Sequence, residues 1–187
     1  MLTCWLVRIL DQALNGVLLL EPTLHEDDRG SFYESFNSLE FEDLTGFNGI
    51  FVQDNHSTSV RGVLRGIHYQ FPNPQGKLVR CVEGRVWDVA VDLRQSSPTS
   101  AQWSGYELSA ENRYQLWIPE GFGHGFLALS DVAQVIYKTT EYWDAVSERS
   151  IVWNDPDLGI AWPIEGQPIL SNRDSGAGRI QDALLFD

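Results

Sequence analysis

Short apolar runs alternate with turn residues along almost the whole chain. Runs rich in Val, Ile, Trp, Tyr and Phe occur at Gly16–Glu21, Ser31–Phe36, Gly62–Gln70, Lys77–Glu83, Arg85–Leu93, Trp103–Leu108, Tyr114–Ile118, His124–Leu129 and Ala133–Thr140. Gly, Pro, Asn and Asp separate them, and this spacing predicts an antiparallel sandwich or barrel. One internal helix interrupts the pattern. Asn37 with Glu40 three residues later reads as an N-cap with its Glu at N3, and Gly46 supplies the stop. Arg179–Leu185 predicts another short helix. No long linker, repeat or low-complexity segment appears, so the expected organisation is one all-β domain over residues 1–187.

One stretch can be read in register. If Glu83-Gly84 is a two-residue hairpin turn, Cys81 faces Val86 and Val79 faces Asp88. Directly opposed residues share a face, so Lys77, Val79, Cys81, Val86, Asp88 and Ala90 line one side. Lys77 and Asp88 become diagonal neighbours. A Lys and an Asp among Val, Cys and Ala suit a ligand cavity better than a core; the competing reading is a surface ion pair.

A chain of 187 residues buries roughly 70% of its unfolded surface, enough for a core without staples. Its net charge of −13 argues against nucleic acid or an anionic membrane as partner, because both need a basic footprint. A small anion needs only a local basic cluster. The basic residues are eleven Arg and two Lys, a bias that suits forked grip on phosphate. Cys4 and Cys81 make neither a disulfide framework nor a zinc-type pair. The N-terminus lacks the pattern of a signal peptide, and no apolar run approaches the roughly 18 residues of a membrane span. The expectation is a cytoplasmic protein.

The histidines are His25, His56, His68 and His124. His25 sits in a polar turn and His56 in a polar loop. His68 lies in a strand-like segment, where a pocketed imidazole titrates near neutral pH and can take and return a proton. A lone strand histidine is more often structural. Strict alternation sets Arg65 and His68 on opposite faces, unless Gly66 between them marks a bulge. The Pro119-Glu120-Gly121-Phe122-Gly123-His124 spacing resembles the second motif of the cupins, where that His often binds metal. The first motif would need a His-x-His pair, and here His68 is followed by Tyr69 and Gln70. Zinc or iron sites usually take three or four protein ligands, so no metal and no cofactor are expected.

Longer motifs carry a specific resemblance. Gln53-Asp54-Asn55-His56-Ser57, Leu64-Arg65-Gly66-Ile67-His68-Tyr69-Gln70, Gln75-Gly76-Lys77-Leu78-Val79-Arg80, Trp87–Arg94, Trp117–Phe126 and Trp153-Asn154-Asp155-Pro156 together resemble the dTDP-4-dehydrorhamnose 3,5-epimerase family, in order over nearly the whole chain. The resemblance implies a cupin-type double-sheet jelly-roll barrel with a few short helices, acting without metal as a homodimer. The implied substrate is dTDP-4-dehydro-6-deoxy-D-glucose, inverted at C3 and C5 to dTDP-4-dehydro-L-rhamnose. Both carbons flank the C4 ketone, which acidifies their protons.

Carried over by motif, His68 is the base, Asp174 its orienting carboxylate, Tyr137 the acid on the opposite face, and Lys77 the residue beside the C4 oxygen. Arg65 and His124 match residues around the substrate, with Arg29, Glu34, Gln53, Asn55 and Glu148 as further nucleotide-sugar contacts. Asp88 joins them through the Lys77 register, and Arg173 as an anion contact. Two positions depart from the family pattern: Arg173 stands where Lys is expected, and Trp143 follows Tyr142 where a second Tyr is expected. Competing readings are a mono-epimerase on a related dTDP-4-keto sugar, a non-catalytic sugar- or nucleotide-binding jelly roll, and a metal-dependent cupin oxygenase.

Overall fold

The computed structural model describes Val7–Asp187; Cys4 lies outside these residues. Strands dominate, as the apolar runs require. The first part of the chain gives β1 (Val7–Asp11), β2 (Leu18–Pro22), β3 (His25–Asp27), β4 (Gly30–Phe32), helix α1 (Ser38–Thr45), β5 (Gln53–Val60) and β6 (Leu64–Gln70). There follow β7 (Lys77–Glu83), β8 (Arg85–Asp92), β9 (Trp103–Ser109), β10 (Gln115–Ile118), β11 (Phe122–Ala128), β12 (Val132–Thr139) and β13 (Glu148–Ser150). The chain ends with α2 (Asn172–Ser175) and a single 3-10 turn at Ile180–Asp182 where a short helix was expected. One sheet has the order β1-β2-β10-β7-β12-β5, the other β13-β6-β11-β8-β9, and β3 pairs with β4 as a separate arm.

The two larger sheets face each other across a common core. Leu19, Val79, Cys81, Leu116, Ile118 and Val135 point inward from the six-stranded sheet, and Val86, Ala90, Leu108, Phe122 and Phe126 from the five-stranded one. Helix α1 covers part of the outer face of the first sheet, setting Phe41 against Leu18, Leu20, Leu78 and Trp117. Its cap is the one expected: Asn37 accepts hydrogen bonds from the Leu39 and Glu40 amides, and Gly46 closes the helix at φ 72°. Such an N-cap contributes about 1 kcal/mol. The C-terminal segment covers the outer face of the second sheet, with Leu158, Ile160 and Ile180 packed on Ile67, Val89 and Val91. A sheet covered on both sides reads as continuous apolar sequence rather than alternation.

The expected hairpin at Glu83-Gly84 is not one. Strand β7 pairs with β10 and β12, whereas β8 pairs with β11 and β9. Gly84 is the corner at which the chain leaves one sheet for the other. Its φ is +69°, and a Cβ there would lie 2.1 Å from both Ser130 Oγ and the Val132 carbonyl, so only glycine turns this corner. The shared face survives for a different reason. Lys77, Val79 and Cys81 face Val86, Asp88 and Ala90 across the sandwich rather than along a ladder, and all six are buried.

The expected bulge at Gly66 is present. His124 lies opposite His68, but Phe126, two residues on, lies opposite Arg65, three residues back. The extra residue in β6 turns Arg65 and His68 toward one depression, whose lining includes both. The strands cross closely here: a Cβ on Gly66 would meet Gly125 Cα at 2.5 Å and the His124 carbonyl at 2.6 Å.

Candidate active site

A cavity opens between the sheets, lined by Gln53, Asn55, His68, Lys77, Tyr137 and Glu148, together with Trp143. Its walls come from different strands. Asn55 pairs with Tyr137 and Gln53 with Thr139 between β5 and β12, while Tyr137 pairs with Val79 and Thr139 with Lys77 between β12 and β7. These residues form one wall, on the six-stranded sheet. His68 stands on β6 of the other sheet, so the two candidate proton carriers occupy facing walls.

His68 Nε2 lies 2.5 Å from Asp174 Oδ1. The carboxylate is almost wholly buried, and its other oxygen accepts the Ser171 hydroxyl at 2.8 Å. Burial alone would push the Asp174 acid strength the other way. The hydrogen bond and charge of His68, with Ser171 and the Gly66 amide, outweigh it and hold the carboxyl below its ordinary range. Asp174 therefore stays ionised beside the imidazole and orients it. Ser171 is the cap of α2, since its Oγ also accepts the Asp174 amide at 3.1 Å. Sequence reasoning missed Ser171, although Ser-x-x-Asp is a capping signature.

Lys77 is 5% exposed and Asp88 fully buried. Burial drives the Lys77 ammonium down to about 8, against the attraction of Asp88 and then Glu148. Burial likewise raises Asp88, opposed by His124 and Lys77. His124 Nε2 sits 2.9 and 3.0 Å from the two Asp88 oxygens, so this pair forms a polar floor behind the cavity and neither residue lines it. Tyr137 is raised chiefly by burial, with Arg65 opposing and Glu148 adding. Its phenol keeps its proton at neutral pH, as an acid must.

Arg65 Nε donates to Ser59 Oγ at 3.0 Å. Arg65, Arg173 and Asp174 line a second, more open depression that shares His68 with the first. Arg173 also forms an ion pair with Glu148, whose Oε2 accepts the Trp143 indole N–H at 2.9 Å. Arg29 and Glu34 are not part of this gathering. Arg29 lies on the β3–β4 arm, with 90% of its side chain in solvent and Asp27 as its ion-pair partner. Glu34 Oε2 accepts Asn37 Nδ2 at 3.4 Å just before α1. His56, read as part of a polar loop, is on β5, where its Nε2 lies 2.6 Å from Gln134 Oε1. Among the described residues no three His, Cys, Asp or Glu side chains come together in a way that could hold a metal ion.

The description of the family model that matches residues 11–182 is dTDP-4-dehydrorhamnose 3,5-epimerase. This chain belongs to that family. It is accordingly an isomerase, and its two facing sheets are the cupin-like jelly roll of that family. An epimerase of the same description from Pseudomonas aeruginosa is 55% identical over 174 residues, covering 93% of this chain and 96% of that one. Its counterpart from Salmonella typhimurium is 53% identical over 180 residues, covering 96% and 98%. The chain also superimposes with TM-score 0.92 on a solved dTDP-6-deoxy-D-glucose-3,5-epimerase from Legionella pneumophila, bound to dTDP-4-keto-L-rhamnose. That match is 47% identical and covers 94% of each chain. No helix among the described residues is long and apolar enough to cross a membrane.

Proposed function

We propose that this chain inverts C3 and C5 of dTDP-4-dehydro-6-deoxy-D-glucose to give dTDP-4-dehydro-L-rhamnose, using its own side chains and no cofactor. The observation that carries the reading is a single cavity with His68 on one sheet, and Tyr137 with Lys77 on the other. Inversion at carbon needs a base on one face and an acid on the opposite face. His68 takes the proton from the carbon beside the ketone, and the resulting imidazolium is stabilised by Asp174 at 2.5 Å. The electron pair moves onto the C4 oxygen as an enolate, and the Lys77 ammonium stabilises the charge there. Tyr137 then delivers its proton to the same carbon from the other side, inverting it. The sequence repeats at the second carbon after the two residues exchange protons with solvent.

In this reading Gln53, Asn55, Arg65, Glu148 and Arg173 hold the nucleotide sugar. The two arginines grip diphosphate oxygens in forks, which lets a chain of net charge −13 bind an anion. The whole chain acts as one catalytic domain in the cytoplasm, as a homodimer. Arg29 and the 68% exposed Phe32 sit on the β3–β4 arm rather than at their own cavity, so Arg29 and the nearby Glu34 contact the ligand of the second copy. Sedimentation as a monomer at micromolar concentration would remove that part of the proposal.

The deciding experiment is incubation with the keto sugar in heavy water, followed by location of deuterium by mass spectrometry and NMR. Label at both C3 and C5 is the expected result. Label at one carbon makes the chain a mono-epimerase, and no label at all leaves only a binding module.

A further inference from the structure

Tyr142 and Trp143 leave 63% and 55% of their surface in solvent, so apolar burial does not fix the loop that carries them. Something else does, because Trp143 lines the cavity. Four consecutive residues of this loop each give a backbone group to a glutamine side chain. Gln75 Nε2 donates to the Glu141 carbonyl at 2.8 Å, and Gln70 Nε2 to the Tyr142 carbonyl at 3.2 Å. The Trp143 amide donates to Gln53 Oε1 at 3.0 Å, and the Asp144 amide to Gln70 Oε1 at 2.8 Å.

The glutamines come from β5, from β6 and from the connection between β6 and β7, and β5 and β6 belong to different sheets. Gln70 and Gln75 are 2% and 8% exposed. Burying a primary amide is costly unless its groups are paired. Gln70 Nε2 also donates to the Asn73 carbonyl at 3.0 Å and Gln53 Nε2 to Asn55 Oδ1 at 2.8 Å, and each glutamine gives at least one bond to the backbone of this loop. Such bonds fix the path of the chain whatever side chains it bears. Gln70 is also two residues from His68, and alternation puts both on one side of β6. One strand thus carries the base and holds the loop that brings Trp143 to the same cavity.

We propose that Gln53, Gln70 and Gln75 form a template that holds the 141–144 loop in its ligand-binding path, so that Gln70 and Gln75 are positioning residues acting on ligand binding through Trp143. The inference rests on the proposed function for its kinetic consequences. Loss of Gln70 strands the Asp144 amide and the Tyr142 carbonyl and frees the loop. The His68–Asp174 pair, anchored by α2 and the Gly66 bulge, keeps its geometry. Binding suffers and proton removal does not.

The test is Gln70→Leu, Trp143→Ala and the double variant, assayed for KM and kcat of deuterium exchange into the keto sugar. Amide hydrogen exchange of a peptide covering 141–144 is followed in the free proteins. Gln70→Leu is expected to raise KM about tenfold, the scale of one or two hydrogen bonds, with kcat within about twofold and faster amide exchange in the loop. Trp143→Ala raises KM comparably, and the double variant is no worse than the larger single one, because one residue acts through the other. Additive effects on KM, a fall in kcat at constant KM, or unchanged amide exchange would each overturn the template. If Gln70→Leu does not accumulate as folded protein, Gln75→Leu removes only the Glu141 bond and carries the same signature, smaller. A parent enzyme that exchanges no sugar proton defeats the proposed function instead, and the amide exchange still decides the template.

Discussion

Replacing Lys77 with Met separates what the residue costs the fold from what it gives the chemistry. Its ammonium is buried and driven from the ordinary 10.5 to about 8. At about 1.4 kcal/mol per pKa unit, holding it protonated at neutral pH costs the fold about 3 kcal/mol. The sign is fixed by proton counting. Between pH 8 and 10.5 the unfolded chain keeps the lysine proton while the folded chain has largely lost it, so stability rises with pH across that window. Methionine has a similar unbranched length and no charge to desolvate. Asp88 retains both contacts with His124, although it loses the attraction of Lys77, so 3 kcal/mol is an upper bound on the gain.

Lys77→Met is therefore expected to be more stable than its parent at pH 7, by up to about 3 kcal/mol, and to show no rise in stability between pH 8 and 10.5. Its turnover is expected to fall about 10²–10³-fold, the loss seen when a preorganised oxyanion donor is removed. Urea denaturation at pH values from 7 to about 10.5 gives the first result, and deuterium exchange into the keto sugar gives the second. A variant less stable than its parent would refute the burial argument. One with near-parental turnover would take Lys77 out of the reaction.

Three further outcomes are expected. His68→Ala should reduce sugar proton exchange by at least about 10²-fold, the low end for acid–base contributions; near-normal exchange would remove His68 from its role. Tyr137→Phe should still exchange protons on the His68 face while completing inversion poorly, which product stereochemistry by NMR reads directly; unimpaired inversion would exclude Tyr137 as the acid. Gly66→Ala brings a Cβ to 2.5 Å from Gly125 Cα at a φ of +117°. It should cost about 3 kcal/mol or more, from overpacking and backbone strain together, and an unchanged denaturation midpoint would contradict the close crossing.

Local signals in the sequence translated directly into structure. The Asn37 and Gly46 caps bound α1 as expected, and β7 runs over Lys77–Glu83 as its apolar run indicated. Topology was less legible. The apposition of Lys77 and Asp88 was right, but the inferred hairpin was wrong, because a two-residue turn and a sheet-to-sheet corner both put a glycine between two strands. Strand β5 escaped notice because its exposure alternates while its chemistry does not. Gln53, Asn55, Ser57 and Ser59 are more buried than Asp54, His56, Thr58 and Val60, yet nearly all eight are polar. Periodicity methods look for apolar residues on the inner face, and here that face borders a cavity and Arg65. The motifs pointed to His68, Asp174, Tyr137 and Lys77. Gln53, Gln70 and Gln75 stand in the same motifs, but their bonds to the 141–144 backbone were not legible there, because a backbone partner leaves no mark on the sequence of the loop it holds.

That polar strand has a consequence for how the protein can change. Every residue of β5 is matched to one on β12 along a full ladder, so its place in the sheet depends on main-chain bonds rather than on its inward side chains. The inward positions 53, 55, 57 and 59 contribute no member to the apolar clusters of the core. Gln53 and Asn55 line the cavity, and Gln53 also holds the Trp143 amide, so an exchange at Asn55 reshapes the wall at little expense to the apolar core, whereas equivalent exchanges on β8 or β11 would disturb the core itself. β5 is thus the natural place for drift or selection to retune which sugar the enzyme accepts.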